Sequence, residues 1–205
     1  QAGTASAHYD VLDQQSLPDD YLPRTNYRPM VDRAEYLSRT PRVSWLKDGE
    51  AVSKPVTDYF RHVHRRAIGA SNERSAIGAI VPSEVGHIDG VFSVTFRQSD
   101  LMVSYSAGVC SLPIDFFVKS TGKGDFRGDL AEKIPVLNKN PAVSGRYLAL
   151  NCLTSHYAPL WEQVYDLDFA DQRWSQPGNP RLPQGFWPAL TSTWTRDCAL
   201  RSDYA

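Results

Sequence analysis

The loop from residue 119 to residue 127 combines the side chains that proteins use to bind phosphate groups. It carries three cations and two hydroxyls, at Lys119, Ser120, Thr121, Lys123 and Arg127. Its two glycines allow a ligand to approach the backbone closely. Pro113 is predicted to start a short helix that runs into this loop and forms a rigid platform for it. We therefore predict a phosphate-binding loop, with an ordinary surface loop as the alternative.

A bound nucleotide is the first candidate for the source of that phosphate. A P-loop needs a glycine, four residues, and then Gly-Lys-Ser/Thr, so that amides wrap the phosphates and the hydroxyl holds Mg²⁺. Here Phe117 stands at the position of the first glycine, and Gly124 stands where the hydroxyl residue is required. The sequence therefore argues against nucleotide hydrolysis and leaves open whether a nucleic-acid backbone is the ligand.

A second concentration of positive charge lies between residues 54 and 74, where the formal net charge is +3. Residues 58–68 are compatible with a strand, and the alternation of a strand would place Arg61 and Arg65 on one face and Arg66 on the other. A guanidinium group matches both phosphates and guanine edges. The alternative is a solvated edge strand whose charge deters aggregation, and the residues taken alone slightly favour it.

Catalytic and metal-binding patterns are weak in this sequence. His62 and His64 would share one face of the strand, with His87 and Asp89 as further ligands, but no thiolate or third ligand has a diagnostic spacing. Cys152 and His156, four residues apart, are the basis of a third alternative, a small hydrolase. We predict no metal site and no catalytic residue.

Composition limits the remaining classes. The chain has 205 residues, is 41% hydrophobic and 22% charged, and has a formal net charge of −1, so nucleic-acid binding would need a local patch. No apolar run is long enough to cross a bilayer, and we expect no membrane association. Three widely spaced cysteines fit a reducing cytoplasm. The first residues form no signal peptide, and without an initiator Met we expect a piece of a longer protein.

The elements around the basic segments predict a mixed α/β protein of the α+β type. Strands are predicted over 75–81 and 91–96, and a helix capped by Ser99 follows. Apolar spacing predicts a long helix over 144–166, with a kink at Pro159. Residues 1–58 indicate short extended pieces and turns, and the sequence past residue 171 is loop-like, with tryptophans that must dock on something.

The order of these segments resembles the target-recognition region of adenine-specific DNA methyltransferases with a TaqI-like C-terminal specificity domain. The resemblance rests on short blocks over residues 24–170, chiefly 72–82, 91–96, 112–123 and 146–157. It is closest to the large fused methylases of restriction–modification or phage-defence systems. It implies a flexible segment (1–24), a DNA target-recognition domain (25–170) and a Pro/Trp-rich extension (171–205) that packs on the rest of the parent protein.

The resemblance also implies that DNA recognition and cofactor binding belong to different domains. In such enzymes a separate domain of the same polypeptide binds S-adenosylmethionine and carries an Asn/Asp-Pro-Pro-Tyr/Phe motif, whereas this chain has no Pro-Pro pair. The fragment is therefore expected to bind double-stranded DNA without a cofactor of its own. The predicted DNA contacts are Arg61, Arg65, Arg66, Arg74, Lys119, Ser120, Thr121, Lys123 and Arg127. The alternative is a protein-interaction module whose tail and long helix dock on a partner subunit.

Overall fold

The computed structural model of the protein describes residues 12–23, 28–69 and 71–202. In this part of the chain three strands form one antiparallel sheet that is accompanied by six α-helices, which confirms the predicted α+β class. The strands are β1 (Arg61–Arg65), β2 (Gly78–Val81) and β3 (Val91–Val94). The helices are α1 (Arg33–Arg39), α2 (Ser99–Val109), α3 (Leu112–Ser120), α4 (Gly128–Ala131), α5 (Pro141–Asn151) and α6 (Ala158–Val164). Short 3-10 turns cover Val56–Asp58, Ser155–Tyr157, Leu167–Phe169, Trp187–Ala189 and Arg196–Cys198.

β1 is the central strand of the sheet, between β2 and β3. His62 lies opposite Ile80 of β2 and Val94 of β3, and this inner face packs on α2. Because side chains alternate along a strand, Arg61 and Arg65 belong to the opposite, outer face. The predicted alternation along residues 61–66 therefore holds within β1.

β2 begins three residues later than predicted. The amides of Ser75 and Ala76 each donate a hydrogen bond of 2.7 Å to the carboxylate of Asp115 instead of to a neighbouring strand. Pairing starts at Gly78, where an added Cβ would lie 2.7 Å from the ring of His62. A larger residue would therefore collide with the central strand at this position.

α2 is the most deeply buried helix of the described chain. All of its residues from Met102 to Val109 are buried, between the inner face of the sheet and α5. Its N-cap is Gln98, one residue before the predicted cap at Ser99, and Gln98 makes no capping hydrogen bond with its side chain. α3 begins with Pro113 in its first turn, as predicted.

The prediction of one long helix over 144–166 is wrong. α5 ends at Asn151, whose side chain bonds to the backbone of β2, accepting from Ile80 N at 2.8 Å and donating to Ile80 O at 3.4 Å. Cys152 then leaves the helical region with φ −82° and ψ 59°. Pro159 lies in the first turn of α6, so it begins a helix rather than bending one.

The C-terminal segment packs on the rest of this chain. Its buried apolar residues form one core with α2, α5 and α6, and include Phe186, Trp187, Leu190, Cys198 and Leu200. The indole N–H of Trp161 donates to Thr191 O at 2.9 Å, and that of Trp194 donates to Cys152 O at 2.9 Å. The tryptophans of this region therefore complete the main core.

A second, smaller core lies under the loop that follows α3. It joins Ile68 and Tyr105 to Val118, Phe126 and Leu130, all of which are buried. Phe126 is fully covered and stacks on His64 with ring centroids 3.8 Å apart. This core fixes the basic loop against the end of β1.

The described residues before residue 58 include a helix that was not predicted. α1 contradicts the expectation of only extended pieces and turns before residue 58, and Asp32 caps it by accepting a hydrogen bond from Glu35 N at 2.8 Å. The Asp-x-x-Glu spacing at 32–35 is a known sequence signal for a helix start.

Of the segment that was predicted to be flexible, residues 1–11 and 24 lie outside the described residues. The described part, residues 12–23, is held against the C-terminal half of the chain. Asp19 O accepts from Ser155 N at 2.7 Å, and the Asp19 carboxylate pairs with Arg201 at 2.9 Å.

Over the described ranges, no single helix combines the length and apolar character needed to cross a bilayer. Taken together, α2 and α3 have the length and the apolar composition of a membrane span, but the two helices are bent by 66° at their junction.

Candidate nucleic-acid interface

The two basic segments of the sequence meet at one end of the sheet. Past β1, Ala67 forms an isolated antiparallel bridge with Asp125. Phe126 N donates to Arg66 O at 2.7 Å, and Ile68 N donates to Gly124 O at 3.0 Å. These bonds bring the loop after α3 beside the last residues of β1, a contact that no sequence pattern indicated.

Three of the predicted DNA contacts lie here in exposed ion pairs, which we call the exposed ion cluster. Its members are Arg66, Lys123 and Arg127 with Asp89, Asp125 and Asp129. Arg66 Nη1 lies 3.3 Å from Asp125 Oδ2, and Arg127 Nη2 lies 3.3 Å from Asp89 Oδ2. Lys123 pairs with Asp129. Three cations therefore face three carboxylates, and the cluster has no formal net charge.

The carboxylates of this cluster are open to solvent. The side chains of Asp89, Asp125 and Asp129 are 76%, 48% and 60% exposed. Exposed pairs contribute only about 0–1 kcal/mol each, because water screens them and long side chains lose entropy when they are fixed. These pairs can therefore be exchanged for pairs with a ligand at little cost.

The two arginines predicted to share the outer face of β1 differ completely in exposure. Arg65 is exposed, and its side chain has no ion pair within the described ranges. Arg61 is only 2% exposed, and Nη2 donates to Val85 O. The prediction that Arg61 reaches DNA is therefore wrong for this fold, because a covered guanidinium cannot touch a duplex.

Arg74 and Lys119 have partly exposed side chains, and both pair with a buried carboxylate. Asp115 has a side chain only 6% exposed, and it pairs with Arg74 at 3.5 Å and with Lys119 at 3.7 Å. Arg74 Nη2 also donates to Cys110 O at 2.6 Å, and Lys119 Nζ donates to Glu73 O at 2.5 Å. These two cations, predicted to contact DNA, instead hold α3 to the segment before β2.

Asp115 is charged in this setting. Burial alone would raise its pKa, but hydrogen bonds from the amides of Ala76 and Ser75, and then the charges of Arg74 and Lys119, outweigh that effect. The pKa of Asp115 therefore lies below its usual value. The spacing of Asp115 and Lys119, four residues apart on a helix, is the sequence signal that predicts this pair.

The two hydroxyls of the loop also serve the fold. Ser120 Oγ donates to Phe117 O at 2.8 Å, and Thr121 Oγ1 donates to Val118 O at 2.7 Å. Both bonds satisfy carbonyls in the last turn of α3. Gly122 follows with φ 65°, a left-handed conformation that favours glycine. The prediction that Ser120 and Thr121 bind phosphate is therefore replaced by a role in ending the helix.

His62 and His64 form a buried chain of hydrogen bonds rather than a metal site. Because Phe126 O can only accept, His64 Nε2 donates to it at 3.0 Å, and His64 Nδ1 then accepts from His62 Nε2 at 3.2 Å. His62 Nδ1 in turn accepts from Ser106 Oγ at 3.0 Å. Every ring nitrogen is satisfied with both rings neutral.

Burial keeps both of these histidines uncharged. Burial, and then the neighbouring His64, lowers the pKa of His62 to about 3, and burial lowers the pKa of His64 to about 4. Within the described residues no group of three or more His, Cys, Asp or Glu side chains could hold a metal ion.

Cys152 and His156 do not form a catalytic pair. Cys152 is fully buried in the main core, and burial raises the pKa of its thiol, which disfavours the reactive thiolate. His156 lies beyond the end of α5, and its Nε2 bonds to Asp20 O at 3.1 Å. The geometry gives no support to the hydrolase alternative.

Comparisons with known proteins identify no relative of this chain. The scan against protein-family models, the search of curated proteins and the search of solved structures each find no match.

Proposed function

We propose that the chain is a non-catalytic DNA-recognition domain of a site-specific DNA adenine-N6 methyltransferase. In this role it positions a duplex so that a separate domain of the same polypeptide, which binds S-adenosylmethionine, can flip and methylate an adenine. The observation that carries the proposal is the meeting of the two basic segments, which brings Arg65, Lys123 and Arg127 to one exposed end of the sheet.

The exposed ion cluster would bind DNA by exchanging partners. Its carboxylates reduce the positive potential that a duplex meets, and this is the main observation against DNA binding. Phosphates approaching Arg66, Lys123 and Arg127 would replace exposed carboxylates, and counterions released from the DNA would favour that exchange. The cluster would therefore give moderate, strongly salt-dependent binding.

Arg65 differs from the cluster because no described carboxylate competes for it. A bidentate arginine–guanine contact discriminates between base pairs by about 1–3 kcal/mol. We therefore assign base reading to Arg65 and backbone contacts to Lys123 and Arg127. This role would place the protein in the cytoplasm with the DNA it modifies, where three unpaired cysteines are stable.

Titration of a labelled duplex at two salt concentrations tests the proposal. Affinity should fall as salt rises, and Lys123→Ala should weaken binding to all sequences alike and reduce the salt slope by about 1. Arg65→Ala should instead relax the preference at one base pair in a randomised duplex pool. Binding that is absent or indifferent to salt contradicts DNA recognition. Identical effects of the two variants on every sequence contradict the division of roles.

One observation favours the second candidate, a protein-interaction module. α3 exposes three large apolar side chains on the surface: Leu112 is 70% exposed, Phe116 75% and Phe117 37%. Neighbouring exposed apolar residues of this size are typical of protein contact sites. The predicted docking elements, the tail and the long helix, are instead used in the chain's own core, so the docking surface would be α3.

Light scattering together with a DNA shift assay separates the two candidates. If α3 docks a subunit, the mass of the isolated chain should rise with concentration above 23.0 kDa, and Phe116→Ser should suppress that rise. A chain that stays monomeric at all concentrations and still shifts DNA supports the recognition role.

A further inference from the structure

A cavity of about 300 Å³ lies between α1 and the outer face of the sheet, away from the exposed ion cluster. Tyr36 and Arg39 of α1 line one side, and Arg61 of β1 and Ser93 of β3 line the other. Thr57, in the turn before β1, also lines it. The volume is at the lower end of the range for small-molecule sites in proteins.

The charge balance of this cavity is unusual. Arg61 is almost completely covered, yet it has no carboxylate partner in the described ranges, and none of the residues that line the cavity is acidic. Arginine stays protonated under all ordinary conditions, so the covered guanidinium is a cation without a counterion. Buried charges in proteins are normally paired, because an unpaired one is costly.

Two polar groups at the cavity also lack hydrogen-bond partners. Arg61 Nε and Thr57 Oγ1 are both buried, and neither makes a hydrogen bond with the described residues. Within the same ranges the guanidinium makes one hydrogen bond, from Nη2 to the carbonyl of Val85, which leaves its other N–H groups available. Buried polar groups that are left unsatisfied destabilise a fold, so two of them beside one cavity indicate a missing partner.

Two basic side chains lie at the solvent-exposed part of the cavity lining. Arg39 and His87 are exposed where the lining reaches solvent. Arg39 pairs with Glu35 of the same helix at 2.5 Å, so the covered cation is the one without a partner. A ligand would therefore place its anionic group inward, toward Arg61 and Thr57.

We propose that this cavity binds a small molecule through an oxyanion, a carboxylate or a phosphate group, held by Arg61 and the hydroxyl of Thr57. The fork of N–H groups on a guanidinium suits both anions, and a hydroxyl can donate to either. The site is separate from the DNA surface proposed above, because Arg61 is covered and the cluster lies at the other end of β1.

Thermal unfolding and calorimetric titration with inorganic phosphate and with acetate test this site, with sodium chloride at matched ionic strength as the reference. Phosphate or acetate should raise the melting temperature of the wild-type protein more than chloride does. Arg61→Met, which keeps most of the side-chain volume, should weaken anion binding about tenfold or more, as expected for loss of a charge-assisted hydrogen bond. Arg173→Met, which changes an exposed arginine outside both the cavity and the exposed ion cluster, is the control and should bind these anions as the wild type does.

Thr57→Val provides a second variant that should fold normally, since it removes a hydroxyl without a partner and keeps the shape. It should weaken anion binding severalfold while leaving the unliganded melting temperature equal or higher. A response to phosphate alone, to acetate alone or to both supports the site and identifies its anion. The proposal is overturned if neither anion stabilises the protein more than chloride, or if Arg61→Met or Thr57→Val binds as the wild type does.

Discussion

Two groups of cations in this protein have the same side-chain chemistry and opposite surroundings. Arg74 and Lys119 surround the buried carboxylate of Asp115, which also accepts two backbone hydrogen bonds. Arg66, Lys123 and Arg127 face carboxylates that are about half exposed or more. The first group holds α3 in place, whereas the second can exchange its partners for a ligand.

The comparison shows that positive charge in the sequence is not enough to identify a binding surface. What matters is how firmly the partner of each cation is fixed. Removing the cations from a buried carboxylate costs much free energy, because the carboxylate would remain desolvated and unpaired. An exposed carboxylate returns to water when its cation turns to a phosphate. A change at the buried polar groups should therefore destabilise the fold, whereas a change at the exposed cluster should alter ligand binding.

The largest effect is expected from acid, through the buried pair His62 and His64. Below pH 6.5, the usual pKa of histidine, the unfolded chain takes up protons that the folded chain excludes, because burial holds these pKa values at about 3 and about 4. The unfolding free energy is therefore highest above pH 6.5, and it decreases as the pH falls toward 4. At about pH 5, each histidine should lower the unfolding free energy by about 2 kcal/mol, so the two together should lower it by about 4 kcal/mol.

Urea unfolding followed by tryptophan fluorescence at several pH values measures this dependence. His64→Phe should flatten the decrease in unfolding free energy between pH 6.5 and about pH 5 by removing one of the two groups. Phe116→Ser, which changes an exposed residue without a titratable group, is the control and should leave the slope unaltered. An unchanged slope in His64→Phe would show that the buried rings do not control acid stability.

The next effect concerns Asp115, which anchors the first group of cations. Asp115→Ala leaves the amides of Ser75 and Ala76 without an acceptor and should lower the unfolding free energy by about 3 kcal/mol. Asp115→Asn keeps one acceptor oxygen and loses only the charge that faces Arg74 and Lys119, so its cost should be smaller. If the two variants are equally destabilised, the ion pairs and not the backbone hydrogen bonds hold this junction.

The sequence was most informative where local chemistry decides the structure. The alternation within residues 61–65, the helix start at Pro113 and the α+β class all follow from spacing and intrinsic preference, and all three are found. The long helix failed because the side chain of Asn151 binds β2, 71 residues away, and no local pattern reports such a bond.

The candidate site was predictable only in part, for the same reason. The acidic partners of the loop at Asp125 and Asp129 stand beside Lys123 and Arg127 in the sequence, and the pairing could have been inferred from that spacing. The burial of Arg61 could not have been inferred from the sequence, because it depends on α1 and on residues 85–87, which cover the outer face of the sheet. Long-range packing therefore decided which arginine is available to a ligand.

A moderate effect should separate the two cation groups directly in DNA binding. Lys123→Ala should reduce duplex affinity severalfold, whereas Arg74→Ala should leave it unchanged and lower only the unfolding free energy. Both variants remove one positive charge, so a general effect of net charge would act on them equally. Equal losses of affinity measured at the same salt concentration would remove the distinction between the groups.

The smallest effect is a gain of function, and it tests the exchange of partners most directly. Asp89 lies 3.3 Å from Arg127 and 3.8 Å from Arg66, so Asp89→Asn removes one carboxylate partner from each of two cations and leaves them Asp125, at 3.9 Å and 3.3 Å. If phosphates replace this carboxylate on binding, the variant should bind a duplex about two- to fivefold more tightly at low salt, the equivalent of one exposed ion pair. Asp168→Asn, an exposed change of the same charge outside the cluster, is the control. A gain confined to Asp89→Asn supports exchange at this surface, while equal gains in both variants would reduce the effect to net charge and leave the cluster without a specific role.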